Sequence, residues 1–387
     1  MRRAFSATST ATSTSTDSMK WLAVLKTRSP RIGSQGTRSS RTSERPAMEH
    51  VAIDLGGRES YVCVRSSTGE IVGERRVITA ALPDFLAGRA ASKVVVETCA
   101  EAFSVADAAL AAGHSVSVVP SILVRALGVG AHGVKTDQRD AQNLSAASVR
   151  MNLPSVHIPS AQSRERKSLC GMRDALVASR TQLLNTVSGW LRREARRPRS
   201  GKTETFVVRV RAMLGDSIPS FVERQLRTIT MLDKEILEAD KDLLLIAKND
   251  SDCRRLMTVP GVGPVTAIRF CATVDDAKRF ATSAELQSYL GLTPGESSSS
   301  SKLRKTGITK AGPTALRATL IQAAWAATHS RSVHPMLEWH REVEKRRGKR
   351  TAIVALARKM GAILFAILRD GTFYDAKHKA PRELASR

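Results

Sequence analysis

From Met48 onward, apolar and polar positions follow short, regular periods. The runs "HVAID", "SYVCVRS", "IVGERRVI", "KVVVE" and "SVSVV" are rich in β-branched residues and read as strands. Between them, "LPDFLAGRA" and "AFSVADAALAAG" read as helices, the second stopped at Gly113. Three opening strands followed by strand–helix alternation predict a mixed sheet flanked by helices. The period changes near Ser160. "LCGMRDALVASRTQLLNTVSGWL" and "ERQLRTITMLDKEILEADKDLLLIA" carry apolar residues at three- and four-residue spacing, which predicts a long antiparallel helical hairpin or dimer coiled coil. Short helices are expected to dominate from Asp252 to Asp370. The late run "AIVALARKMGAILFAIL" is interrupted by Arg358 and Lys359 and reads as a buried helix rather than a membrane span.

The pattern therefore predicts an α/β domain over 48–159, a helical linker over 160–250 and a mostly helical domain over 251–372. Flanking these are an extension, 1–47, and a tail, 373–387. The extension is rich in Ser, Thr and Arg without apolar period, and is expected to be disordered or to reflect a start codon set upstream of Met48.

Charge narrows the function class. Among 387 residues, 61 Lys and Arg face 36 Asp and Glu, a net charge of +25. The extension holds nine cations and two acids, so the rest keeps +18. A polyanionic partner is implied, nucleic acid first. Aromatics are only 4%, which disfavours a reader that stacks many unpaired bases. Five cysteines stand scattered, with no CxxC, so neither a zinc site nor a disulfide framework is indicated, and a reducing cytoplasm is the expected setting. The segment "RREARRPRSGK" sets six cations against one acid, as a solvated turn or a phosphate contact.

Four carboxylates stand where chemistry gathers. Asp54 ends "VAID" before two glycines, and Glu97 ends "VVVE"; strand ends at one edge of an α/β sheet are where sites collect. Asp137 and Asp140 are three apart in "KTDQRDAQNLS" and share one face of a helix. Converging, the four would repel unless cations neutralised them, and they suit Mg²⁺ or Mn²⁺. Separately, each acid is equally a helix cap or a surface charge. Further on, "MTVPGVGPVTAIRF" sets Gly261 and Gly263 in a tight turn before a helix, which can offer backbone amides to a phosphate or serve as packing.

In combination, "AIDLGGRES", "VVVETCAEA", "KTDQRDAQNLS", "VPGVGPVTA", "YLGLTPGESSSSSKLRKTGITKAG" and "FAILRDG" resemble the DEDD transposases of insertion sequences, to which Piv-type DNA invertases are related. The likeness spans roughly Met48 to Tyr374. It implies an RNase H-like, RuvC-like domain bearing Asp54, Glu97, Asp137 and Asp140, a helical linker, and a C-terminal transposase domain with a helix–hairpin–helix. It further implies a serine that attacks DNA phosphate. Counted from Pro294 the serine is Ser299, while Ser300 stands where the family has Gly, so Ser298 and Ser300 remain alternatives. Lys302, Arg304 and Lys305 would stabilise phosphate charge. The resemblance also implies guidance by a structured RNA, and a dimer or tetramer acting on DNA rather than at a membrane.

Two other classes stay open on the residues alone. A structure-selective junction endonuclease would use only the four carboxylates and leave "SSSSSKLRKTG" as a linker, its plain compositional reading. A non-catalytic nucleic-acid-binding protein would tolerate alanine at Asp54 or Glu97.

Overall fold

Three-residue apolar runs inside five-residue strands with polar ends make the central strands His50–Asp54 and Lys93–Glu97 of the first unit. The computed structural model describes residues 48–126, 136–299, 302–330 and 334–376, so the 1–47 extension, Ser300 and the end of the tail lie outside the described residues. The chain divides into two compact units at Ile158/Pro159.

The first unit runs β1 (His50–Asp54), β2 (Glu59–Arg65), β3 (Ile71–Ile78), α1 (Leu82–Ala87), β4 (Lys93–Glu97), α2 (Ala102–Ala111), β5 (Ser115–Val119), α3 (Ser121–Ala126) and α4 (Asp137–Arg150). The sheet order is β3-β2-β1-β4-β5. β1 to β3 form an antiparallel meander, and β1, β4 and β5 run parallel. Alternation sorts the side chains of β1 and β4. Val51, Ile53, Val94 and Val96 pack with Leu82, Leu86, Val105 and Ala109 on the face of α1 and α2. Ala52 and Val95 pack on the other face with Leu144 and Ala147 of α4. Being covered on both faces, these strands read as continuous apolar runs.

The second unit runs α5 (Ala161–Arg193), α6 (Phe206–Leu214), α7 (Ser220–Asn249), α8 (Ser251–Leu256), α9 (Pro264–Val274), α10 (Ser283–Tyr289), β6 (Pro294–Ser299), β7 (Lys302–Ile308), α11 (Thr314–Thr328), α12 (Pro335–Arg347) and α13 (Lys349–Asp370). α5 and α7 are antiparallel. Arg166 meets Asp250 at 2.5 Å, Arg173 meets Asp240 at 2.6 Å and Arg180 meets Asp233 at 2.9 Å, so partners descend one helix as they climb the other. At the far end α6 folds back, and Phe206 and Val210 join Val187, Leu191, Leu226 and Ile229 in a separate small core. The arginines of "RREARRPRSGK" lie there, Arg192, Arg196 and Arg197 lining an open cleft of about 440 Å³.

α13 is long and apolar enough to cross a membrane by length and composition. Its Leu356, Met360, Leu364 and Phe365 are nonetheless fully buried in the core of this unit, beside Phe270, Leu286 and Leu320. The serine run departs from its compositional reading as a linker, and from the expected dominance of short helices. It pairs as an antiparallel ribbon, with Ser297 opposite Arg304, Ser298 opposite Leu303 and Ser299 opposite Lys302. Neither strand has apolar alternation. The ribbon is closed by backbone bonds at its root, where Thr309 N donates to Thr293 O at 2.9 Å and Lys310 N to Gly291 O at 3.1 Å.

Candidate active site

Asp54 and Glu97 are the last residues of neighbouring parallel strands. Ile53 is in register with Val96, so the two carboxylates follow side by side, on backbones about 4.8 Å apart. Two residues beyond Ala52 and Val95, they fall on the α4 side of the sheet. Both are half-buried. The turn after Asp54 is fastened: Thr79 Oγ1 donates to Gly56 O at 2.6 Å, and Gly56 N donates to Ser60 Oγ at 3.3 Å. Gly56 is needed here, because a Cβ would stand 2.2 Å from Glu59 O.

α4 runs antiparallel to β1. Ser148 Oγ lies 2.9 Å from His50 Nδ1 at the start of β1, and Ser148 O accepts from Lys93 Nζ at 3.4 Å at the start of β4. Ser145 Oγ donates to Cys63 Sγ at 3.2 Å, and Cys63 is the register partner of Ala52. Moving back along α4 thus climbs β1. Eight residues from Ser148 to Asp140 are about 12 Å of helix. Four residues from His50 to Asp54 are about 13 Å of strand. The first turn of α4 therefore stands at the level of Asp54 and Glu97. Asp140 is in line with Leu144 and Ala147 on the sheet-facing side and only 6% exposed, whereas Asp137 is exposed. Thr136 caps this turn, its Oγ1 accepting from Arg139 N at 3.4 Å. The helix N-terminus favours negative charge at both aspartates.

Electrostatics at the opposite end of the helix are different. Burial, then the Lys93 ammonium, hold the His50 imidazole below its ordinary value. Burial pushes the Cys63 thiol up despite its bond with Ser145.

All-oxygen donors of this kind suit a hard divalent cation such as Mg²⁺ or Mn²⁺, and the set is partly withdrawn from solvent. Among the described residues no three of these carboxylates bring ligand atoms within 4.8 Å of one another. One group does close to that distance: Asp250, Cys253 and Cys271. The scattered cysteines gave no hint of it, since 253 and 271 are joined only by the fold, with sulfurs 3.8 Å apart. Both oxygens of Asp250 are already committed, one accepting from Cys253 N at 2.8 Å and one paired with Arg166. The bond with Cys253 and burial push the Cys271 thiol far up, so Cys271 stays protonated, and both cysteines are buried in the core.

In the second unit, Ser299 is the last residue of β6 and its register partner Lys302 the first of β7, which puts Ser299 at the tip of the ribbon. Register partners share a face and alternate residues do not. Ser297, Ser299, Lys302 and Arg304 occupy one set of positions, and Glu296, Ser298, Leu303 and Lys305 the other. Gly263 caps α9 with open space around it. Gly261, at φ +85°, is turned into the protein, where a Cβ would lie 2.3 Å from Ala323 O of α11. Close helix packing and the left-handed backbone both call for glycine there.

Comparison with known proteins covers both halves. A transposase family model of the DEDD IS110 type matches residues 51–194, and the model described as "Transposase IS116/IS110/IS902 family" matches residues 253–338. The transposase for insertion sequence element IS1111A of Coxiella burnetii is 28% identical, over 82% of this chain and 89% of its own length. A probable family 20 transposase of Pseudomonas aeruginosa is 26% identical, over 84% of this chain and 98% of its own length. A pilin gene-inverting protein of Moraxella lacunata is 24% identical, over 68% of this chain and 76% of its own length. The two matched segments follow each other in order, one carrying the four carboxylates and the other the glycine turn and serine ribbon: the chain belongs to the IS110/IS116/IS902 family of insertion-sequence transposases.

Proposed function

We propose that this transposase cuts and rejoins the DNA of its element with two sets of groups: the carboxylates Asp54, Glu97, Asp137 and Asp140, and the hydroxyl of Ser299. The observation that carries the reading is the meeting of β1, β4 and the first turn of α4 at one edge of the sheet. The order β3-β2-β1-β4-β5, antiparallel then parallel, supports an RNase H-like domain over 48–159. Residues 160–250 then serve as linker and 251–372 as transposase domain.

Asp54, Glu97, Asp137 and Asp140 would hold Mg²⁺ or Mn²⁺. The cation supplies charge neutralisation at phosphate and a lowered pKa for an attacking oxygen. The chain's own part is to fix four anionic oxygens on rigid elements, with Asp140 shielded from water. At the ribbon, Ser299 Oγ bonds to phosphorus as the P–O bond to the leaving sugar oxygen breaks. The serine proton passes to a base and the leaving oxygen gains one. Lys302 and Arg304, on the register positions of Ser299, favour Ser299 over Ser298 as the attacking residue, because phosphate charge grows where cations gather. Lys305 occupies the other set and would hold the backbone alongside. Gly263, capping α9, would offer amides to a phosphate, and Gly261 sets the turn that presents them.

The family resemblance adds a structured guide RNA, a dimer or tetramer, and action in the cytoplasm. The deciding experiment is recombination of element DNA, with its flanking non-coding segments, by wild type, Asp54→Ala and Ser299→Ala. Both variants should be inactive. Activity of Asp54→Ala would remove the carboxylate site. Cleavage by Ser299→Ala without a covalent adduct would favour a carboxylate-only nuclease.

A further inference from the structure

We propose that Arg317 is a positioning residue for the reaction: its guanidinium clamps both roots of the β6–β7 ribbon and so fixes where Ser299 stands. The inference rests on the serine reading above. Arg317 lies in the first turn of α11 and is only 7% exposed. Its Nη1 donates to Leu290 O at 3.0 Å and to Ala311 O at 2.9 Å, and its Nη2 to Thr314 Oγ1 at 3.2 Å. Leu290 precedes the entering strand, and Ala311 follows the leaving one. One side chain therefore ties together the chain on its way in and on its way out. Among the described residues no carboxylate pairs with it. A buried charge is costly unless its donors are used, and here they are spent on two carbonyls and a hydroxyl.

The crossing it closes is tight. Gly291, at φ +67°, has room for no Cβ, which would stand 2.1 Å from Ala311 O and 2.8 Å from Arg317 Nη1. Gly312, at φ +75°, would bring one to 1.9 Å from Tyr289 O. Lys310 is held at φ +56°, a region L-residues avoid, by the bond of its amide to Gly291 O. The flanks "YLGL" and "TKAG" thus meet in space as one device.

Geometry explains why such a root matters. A lone two-stranded ribbon has little stability of its own, so its direction is set where it joins the core. From Thr293 to Ser299 is about 20 Å of strand. A tilt of about 10° at the root would carry the tip about 3.5 Å, as much as the whole separation of reacting atoms in an attack-ready complex. DNA held by the rest of a basic protein would barely feel that shift, but the nucleophile would miss.

The test uses the full chain with Arg317→Met and Arg317→Lys, and three readouts. These are DNA affinity, the rate of covalent protein–DNA adduct formation, and amide hydrogen exchange. In Arg317→Met, affinity should stay within about twofold while adduct formation slows at least about tenfold. Exchange at Thr309 and Lys310 should speed at least about tenfold while α9 and α13 keep their protection. Arg317→Lys, which keeps the charge on a shorter side chain and lacks the second nitrogen that meets Thr314 Oγ1, should fall between, and it carries the same test if the methionine variant does not fold. Adduct formation at the wild-type rate in Arg317→Met, or unchanged exchange at Thr309 and Lys310, would overturn the clamp. If wild type itself forms no serine adduct, the role in the reaction falls with the serine reading. Loosened exchange in Arg317→Met would then show that the nucleophile assignment, and not the root contact, was at fault.

Discussion

Asp140 is buried where Asp137 is exposed, and this difference sets what each can do. Under the proposed carboxylate reading, the aspartate withdrawn from water gains most from a bound cation, and its removal should be felt most in chemistry. Asp54→Asn and Glu97→Gln keep side-chain size and remove the charge. Each is expected to abolish strand cleavage while the melting temperature stays within a few degrees and DNA still binds. Cleavage assays in Mg²⁺, Mn²⁺ and EDTA check this, and undiminished cleavage in EDTA would remove metal from the reaction. Ser299→Ala removes one oxygen at a ribbon tip and should cost less than about 0.5 kcal/mol of stability. It should eliminate the covalent adduct, with Ser298→Ala and Ser300→Ala as neighbouring controls and mass spectrometry of the linked peptide as the readout. A link at 298 or 300 would shift the register. His50 gives a pH test remote from the chemistry. Its folded-state pKa is lowered, so folding favours the neutral ring. That stability is fully present above its ordinary value near about 6.5 and is lost as pH falls through the folded value. Denaturation midpoints between about pH 7.5 and 5 should therefore fall less steeply in His50→Asn than in wild type. Identical slopes would show that the burial of His50 beside Lys93 carries no linkage.

Among elements, strands and helices differ in how much of them the sequence reveals. β1 and β4 are legible because apolar triplets rich in β-branched residues, with polar ends, leave few alternatives, and their last residues fall at the strand ends that form the candidate site. The i, i+3 spacing of Asp137 and Asp140 is likewise legible. That only Asp140 is buried is not, because this depends on how α4 lies on β1. The ribbon was hidden because serines and cations carry no period, and its stability comes from two glycines and an arginine outside the strands. Arg317 itself reads as an ordinary cation in a helix. The turn before α9 was legible as a turn, but its two glycines have different work. Gly261→Ala should destabilise by about 2–4 kcal/mol, since its Cβ would strike the backbone of α11 at a positive φ. Gly263→Ala meets open space and should cost well under about 1 kcal/mol. Urea titrations of both variants decide it. Equal losses would mean that the packing against Ala323 and Ala327 is not what holds Gly261.

For the molecule as a whole, charge is the property that acts at a distance. The chain from Met48 carries +18. Arg166, Arg173, Arg180 and Arg269 are paired with acids in the helical unit, so the surplus resides on other cations. Arg192, Arg196 and Arg197, at the far end of the hairpin, face an open cleft instead. Cations free of internal partners displace counterions when they meet phosphate, and each one adds nearly a unit to the slope of log affinity against log salt. Six or more such contacts would lower affinity about a thousandfold between about 50 and 200 mM salt. Reversing Arg192, Arg196 and Arg197 to Glu should then flatten the slope by up to about three units. The paired Arg173, changed to Gln, should leave the slope alone and lower stability instead, because its charge is already answered by Asp240. Fluorescence anisotropy on element-end duplexes across a salt series measures both. A flat wild-type slope would mean that the surplus charge does not meet nucleic acid. A slope unchanged by the triple variant would move the contact away from the hairpin end.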